Sequence, residues 1–190
     1  MATKLVIFVV GPSKSGKTAI ANYLADLTVH TNDYHPTAGV RILEFERTIS
    51  LEPRRPGVRP KDTTLAVELW DCSGDPRFHG CWESISESAN GVLYVYGLDG
   101  KNEKDLDVFQ NIFKNMKESQ CAVFAHKMGS GTQKSGKVKL ANKFLSKLSI
   151  STTSLDTEPE TIRTDFDNFL MSVYQAYTES REREEESIVT

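Results

Sequence analysis

The chain has 190 residues, 38% of them hydrophobic and 26% charged, with a formal net charge of −3. That length fits one domain with a buried core, and the near-neutral balance offers no basic excess for nucleic acid or for an anionic membrane. Its apolar runs fall well short of the ~20 residues that span a bilayer.

The N-terminal residues Met1-Ala2-Thr3-Lys4 lack the glycine that myristoylation needs, and the first apolar run is too short for the core of a signal peptide. The last residues, Ser187-Ile188-Val189-Thr190, offer no prenylatable cysteine. The expectation is a cytosolic protein with no direct membrane anchor. Cys72, Cys81 and Cys121 follow neither a CxxC nor a zinc spacing, so buried free thiols in a reducing compartment are expected.

In chain order, Leu5 to Val10 is a continuous apolar, β-branched run ending at Gly11, the pattern of a strand buried on both faces. Lys17 to Leu27 has helical spacing, with Ile20, Ala21, Leu24 and Leu27 on one side. Val40 to Leu51 and Thr63 to Trp70 alternate as strands. Between them, three prolines and a glycine in 52–62 exclude a central strand, so the two strands should form a hairpin with a long basic loop. Gly91 to Tyr96 and Cys121 to His126 are further buried strands, separated by a helix over Lys101 to Lys117. Met128 to Gly136 reads as a loop, Val138 to Leu148 as a helix, Leu148 to Thr153 as a short last strand and Glu158 to about Glu185 as a long last helix.

Strands separated by helices require crossover connections. The fold class is therefore α/β: a three-layer P-loop fold with a six-stranded, mostly parallel sheet, one antiparallel edge hairpin strand and helices on both faces. The expected domain covers 1–180. Residues 181–190 form a charged tail, and the Arg/Glu alternation of Glu179 to Glu186 is either a solvated helix end or a partner-facing extension.

Gly11 to Thr18, Gly-Pro-Ser-Lys-Ser-Gly-Lys-Thr, matches GxxxxGK[ST] at every fixed position and lies between a buried strand and a helix, as its mechanism requires. Such a loop turns backbone N–H groups toward a phosphate, and the helix N-terminus adds its dipole. Ser13, Lys14, Ser15 and Gly16 line the cradle, Lys17 neutralises the β- and γ-phosphates, and the Thr18 hydroxyl ligands Mg²⁺. Further on, Thr37 in Asp33-Tyr34-His35-Pro36-Thr37 sits where a loop hydroxyl can reach the same metal. In Trp70-Asp71-Cys72-Ser73-Gly74, Asp71 can hold Mg²⁺ through water and Gly74 can bring its N–H to the γ-phosphate.

The P-loop, Tyr-x-Pro-Thr and Trp-Asp-x-x-Gly, in this order and at these separations, resemble the Ras-like small GTPases, and within them the Rab-like branch. The resemblance runs from Leu5 to about Tyr177 and implies GTP/GDP and Mg²⁺ as ligands. It makes Tyr34 to Gly39 switch I and Asp71 to about Glu83 switch II, both ordered by γ-phosphate and metal. It also places His30 where an aromatic ring packs edge-on to the base, although an exposed helix-end histidine fits as well. Thr152-Thr153-Ser154-Leu155 resembles the family's loop that donates a backbone N–H to guanine O6, which makes Ser154 and Leu155 base contacts.

Two departures stand against these matches. Asp75 follows Gly74 where the family usually has the glutamine that orients the attacking water, so hydrolysis should be slow unless Asp75 itself acts as a base. The family's Asn-Lys-x-Asp base motif is replaced by His126-Lys127-Met128-Gly129. His126 and the stem of Lys127 remain, but Gly129 has no carboxylate to accept from guanine N1 and N2, an interaction of about 1.5–3 kcal/mol per bond.

With this set of departures and no C-terminal cysteine, the chain most resembles the Rab-like GTPases of the intraflagellar transport B complex. That implies docking on the coiled-coil core subunits of the complex and a place in the cytoplasm, at the cilium or flagellum and its base. Phe45, Phe78 and Trp82 are candidate aromatic anchors around the switches, with burial of Phe45 and Trp82 the alternative. The competing readings are a rapidly cycling switch, a nucleotide-binding scaffold without strict guanine preference, and a P-loop small-molecule kinase. The kinase would need an arginine-bearing lid, and the one arginine cluster, Arg54, Arg55 and Arg59, lies in the hairpin loop.

Overall fold

Six strands form one sheet: β1 (Thr3–Val10), β2 (Val40–Leu51), β3 (Lys61–Cys72), β4 (Gly91–Gly97), β5 (Cys121–His126) and β6 (Ser149–Thr153). Their spatial order is β2-β3-β1-β4-β5-β6, with β2 antiparallel to β3 and every other pair parallel. This is the α/β architecture expected from the sequence. The computed structural model describes residues 2–27, 35–51, 60–98, 103–129 and 140–189.

Among the described residues four helices cover the sheet: α1 (Lys17–Leu24), α2 (His79–Ile85), α3 (Leu106–Ile112) and α4 (Pro159–Val189). On one face, Ile20, Ala21 and Leu24 of α1 and Ile162, Phe166, Leu170 and Val173 of α4 pack on Leu5, Ile7 and Val9. On the other, Trp82 of α2 and Leu106 and Phe109 of α3 pack on Phe8, Val10 and Tyr94. Strand β1 buries both of its faces, which is why it reads as an unbroken apolar run rather than an alternating one. It lies beside β3, and the chain leaves the carboxyl ends of these two strands toward opposite faces, to α1 after β1 and to α2 after β3, which makes their junction the switch point where doubly wound sheets bind ligands.

Several boundaries differ from the sequence reading. Helix α1 stops at Leu24 rather than Leu27, because Asp26 takes φ 55°, outside the right-handed helical region. The helix expected over Lys101 to Lys117 reduces to α3 after a single 3₁₀ turn at Glu103–Asp105. The helix expected over Val138 to Leu148 is absent from 140–148, where one 3₁₀ turn, Leu145–Lys147, is found. There the Asn142 carboxamide accepts from the backbone N–H groups of Phe144 and Leu145, a local turn that competes with helix, while Leu140, Leu145 and Leu148 plug the core.

Helix α4 runs past the expected end to Val189, with 179–187 exposed and Arg181–Glu185 and Arg183–Glu179 paired one turn apart. Cys72 and Cys121 are buried free thiols as expected, whereas Cys81 is exposed. No helix among the described residues is long and apolar enough to cross a membrane.

Candidate nucleotide-binding site

The loop between β1 and α1 is shaped by three backbone requirements. Gly11 takes φ +147°, and a Cβ there would come within 1.9 Å of the Val95 carbonyl oxygen. Gly16 caps α1 with φ 90°, and a Cβ there would meet the His126 ring at 2.4 Å. Lys14 also holds a left-handed φ of 61°. The second chain segment closes equally tightly: a Cβ on Gly74 would lie 2.4 Å from Ser13 N and 2.5 Å from Pro12 C. Only a glycine lets the end of β3 reach the P-loop backbone.

Lys17 is 5% exposed, and its Nζ donates to Pro12 O at 2.7 Å and to Ser15 Oγ at 3.5 Å. Burial pushes its pKa down to about 8, since a desolvated ammonium with few anionic neighbours disfavours its charge. A phosphate is the partner that such a group lacks.

Beside it, three oxygen-bearing side chains converge. The Thr18 hydroxyl donates to Asp71 Oδ2 at 2.8 Å, and the Thr18 and Thr37 hydroxyl oxygens stand 3.0 Å apart. Thr37 Oγ1 is 3.5 Å from the same Asp71 oxygen. Asp71 is fully buried, burial pushes its pKa up, and its Oδ1 has no hydrogen-bond partner among the described residues. A buried carboxylate with an unsatisfied oxygen beside two hydroxyls is a hard, oxygen-only donor set, the chemistry Mg²⁺ takes. The residues thus fit the metal, which when bound would neutralise phosphate charge. The space over these groups encloses about 120 Å³ and is bounded by the P-loop, Pro36, Thr37, Ser73, Gly74 and Met128. Larger hollows, of about 190 and 460 Å³, lie near the amino ends of β4 and β5, around Gln120, Cys121 and α4. Neither has a comparable convergence of phosphate or metal donors, so the smaller space is the site.

The two switch segments are tied together, with Ser73 N donating to Gly39 O at 2.8 Å. Asp75 is committed elsewhere than to a water. Its carboxylate accepts from the backbone N–H of Arg77 at 2.9 Å, capping the turn Pro76–Phe78, and from the Arg77 guanidinium at 2.6 Å. Arg77 holds its pKa down to about 2, so it is a poor base near neutral pH. Trp82, offered as a partner anchor, is 1% exposed and belongs to the core under α2. Phe45 packs against Phe166 of α4, and Phe78 remains partly accessible beside Trp82.

At the base end, His126 is 3% exposed, its Nδ1 is 3.1 Å from Thr153 Oγ1, and its ring lies under Gly16. Lys127 N donates to Thr153 O at 2.8 Å. Thus His126 joins the P-loop to the β6 end. Ser154 is buried with its Oγ accepting from Thr157 N at 3.4 Å, and Leu155 packs on the core. Gly129 has φ +78°, and no atom of the described residues lies within 4 Å of where a Cβ would be. His30, Tyr34 and the Arg54, Arg55 and Arg59 cluster lie outside the described residues.

The sequence reading missed Arg41 and Asn22. In the β2–β3 register Arg41 faces Asp71; its Nη2 lies 3.6 Å from Asp71 Oδ2 and donates to Asn22 Oδ1 of α1. The signal was the hairpin itself, but its register could not be counted through the loop at 52–59.

Fold and site together define a P-loop GTPase domain of the Ras-like class. Residues 6–129 match the family described as Ras of Complex, Roc, domain of DAPkinase. The chain belongs to the intraflagellar transport protein 22 family: it is 40% identical to the Danio rerio intraflagellar transport protein 22 homolog, covering 98% of this chain and 99% of that one. Among solved structures it is similar to T. brucei IFT22/74/81 in its GTP-bound form, with TM-score 0.70 and 26% identity over 93% of this chain and 98% of that one. It is also similar to GDP-bound T. brucei IFT22, with TM-score 0.65 and 25% identity over 92% and 98%.

Proposed function

We propose that this chain binds GTP or GDP with Mg²⁺ and uses the bound state to dock, through its switch segments, on coiled-coil core subunits of the intraflagellar transport B complex. The observation that carries the nucleotide part is the convergence of Thr18, Thr37 and Asp71 beside the buried Lys17. The docking part is supported by the T. brucei relative, whose GTP-bound structure is an IFT22/74/81 assembly. Thr18 and Thr37 would ligand the metal directly and Asp71 through water. Ser13 to Thr18 and Gly74 would hold the phosphates. His126, Lys127, Ser154 and Leu155 would face or frame the base, with His30 and Tyr34 as further contacts.

Hydrolysis is slow in this reading, because Asp75 is held by Arg77 and no glutamine occupies its place. Residues 1–180 form the GTPase domain and 181–190 a solvated tail, in keeping with the exposure of 179–187. The protein works in the cytoplasm and at the cilium or flagellum and its base.

The test is affinity for the partner coiled coil with GTP, with GDP and without nucleotide, with Lys17→Ala as the control. Tight binding with GTP that is lost in Lys17→Ala is the expected result. Identical affinity in every state would reduce the nucleotide to a structural ligand.

A further inference from the structure

We propose that Arg41 is a built-in counter-cation of the metal site: it holds Asp71 when no divalent ion does, and so weakens the site's grip on Mg²⁺. The inference rests on the nucleotide–magnesium reading above and adds a residue that opposes the metal.

The odd-numbered residues of β2 face α1 and α4, as Leu43, Phe45 and Leu51 do in packing on that core. Arg41 shares this face and lies opposite Asp71 in the register. Its guanidinium is strung between two buried groups, the Asn22 carboxamide of α1 and the Asp71 carboxylate of β3. Its Nε is buried with no partner among the described residues. The oxygen that Arg41 approaches, Asp71 Oδ2, is also the one that receives Thr18 and lies by Thr37. Arg41 and a metal therefore draw on the same carboxylate.

A guanidinium stays charged at any physiological pH. A buried carboxylate left without a cation is strongly disfavoured, so Arg41 stabilises the metal-free form of the site. When Mg²⁺ arrives, it meets a field already reduced by one positive charge. The two effects are one linkage, and each weakens the other equally. With its side chain 40% exposed, Arg41 is screened in part by water, so the effect is moderate. The residue stands four positions after Thr37, at the start of β2, so release of Arg41 by the metal changes the segment that leads out of switch I.

The test is a calorimetric titration of Mg²⁺ into the GDP-loaded full chain. Arg41→Gln should lower the dissociation constant for Mg²⁺ about tenfold, the effect of removing one unit charge at this range in a partly screened site. Arg41→Lys, which keeps the charge, should stay within about twofold of the parent. Asn22→Asp gives Arg41 a second carboxylate away from Asp71 and should tighten Mg²⁺ about threefold. Without metal, Arg41→Gln should melt earlier than the parent, and Mg²⁺ should raise its Tm by more. A merely structural arginine predicts weaker or unchanged Mg²⁺ binding in Arg41→Gln, and that result overturns the proposal. Should Arg41→Gln not fold, Asn22→Asp decides alone, and unchanged affinity there overturns it equally. A parent chain that takes up no GDP overturns the nucleotide reading and this inference together; GDP uptake with unmoved Mg²⁺ affinity overturns the inference only.

Discussion

The two ends of the site are built to different standards. At the phosphate end, three elements deliver four groups to one point: buried Lys17 and part-buried Thr18 from α1, part-buried Thr37 from the segment before β2, and buried Asp71 from β3. At the base end, the backbone framework is complete, with His126 bridging to Thr153 and Lys127 N bonded to Thr153 O, yet Gly129 offers no acceptor. In the proposed reading, this framework would position a base without the side chain that selects it. Affinity in this protein should therefore come from the phosphates and the metal, and selectivity should be the weaker property.

Lys17→Ala tests the strong end and carries the largest expected effect. Removing a buried ammonium that in this reading would make two charge-assisted contacts to phosphate should cost at least about a hundredfold in GDP affinity, read from a fluorescent-nucleotide titration. A loss under tenfold would mean the phosphate end is not the source of affinity. The same residue predicts a pH dependence. In the ligand-free fold its pKa is pushed to about 8 from an ordinary 10.5, and a bound phosphate should raise it again. GDP affinity should then fall about tenfold per pH unit above pH 8, because binding takes up a proton. Folding stability runs the other way. The fold disfavours the charged lysine, so the penalty is full below pH 8. It is relieved between about 8 and 10.5, and the nucleotide-free chain should gain stability across that window.

Gly129→Asp tests the weak end. Among the described residues nothing lies within 4 Å of where its Cβ would be, and the backbone is at φ +78°, a conformation aspartate tolerates better than most residues. A carboxylate there should accept from guanine N1 and N2 and raise GDP affinity about tenfold net of backbone strain, with no gain for ADP. Gly129→Ala separates the two contributions, since it carries the strain without the acceptor. Equal gains for GDP and ADP would show that the base does not lie along Lys127 to Gly129.

The contrast also explains what was legible in the sequence. Strand β1, the P-loop and the Thr37–Asp71 pair were readable because each motif is contiguous and its chemistry requires those residue types at those spacings. Arg41 was invisible because its role depends on pairing with Asp71 across a hairpin, whose register cannot be counted from the sequence between the two strands. Trp82 was left open between surface anchor and core because α2 is short, and too few residues show which face it buries; the structure takes the core alternative. The 140–148 segment has helical apolar spacing, but the Asn142 carboxamide satisfies the backbone locally and a turn results. His126 was read from the base motif alone; that its ring is also the packing partner Gly16 must accommodate depends on tertiary contact the motif does not show.

Asp75→Gln joins the two ends, and its expected effect is the smallest. The wild-type carboxylate follows Gly74, which lines the phosphate end, but it is turned into the Pro76–Phe78 cap and paired with Arg77. At a pKa of about 2 it is a poor acceptor for the proton of an attacking water near neutral pH. Glutamine can still cap the turn, but it loses the ionic hold of Arg77 and can swing toward the γ-phosphate. The gain is bounded, since an orienting glutamine without an inserted arginine leaves turnover at only about 10⁻⁴ s⁻¹ in Ras-like enzymes. Single-turnover GTP hydrolysis should rise by roughly threefold, and Arg77→Ala, which frees the wild-type carboxylate, should not raise it, because a carboxylate beside the γ-phosphate adds charge where charge is already high. A larger rise in Arg77→Ala than in Asp75→Gln would make Asp75 a restrained base, and would move this protein from a nucleotide-holding adaptor toward a working switch.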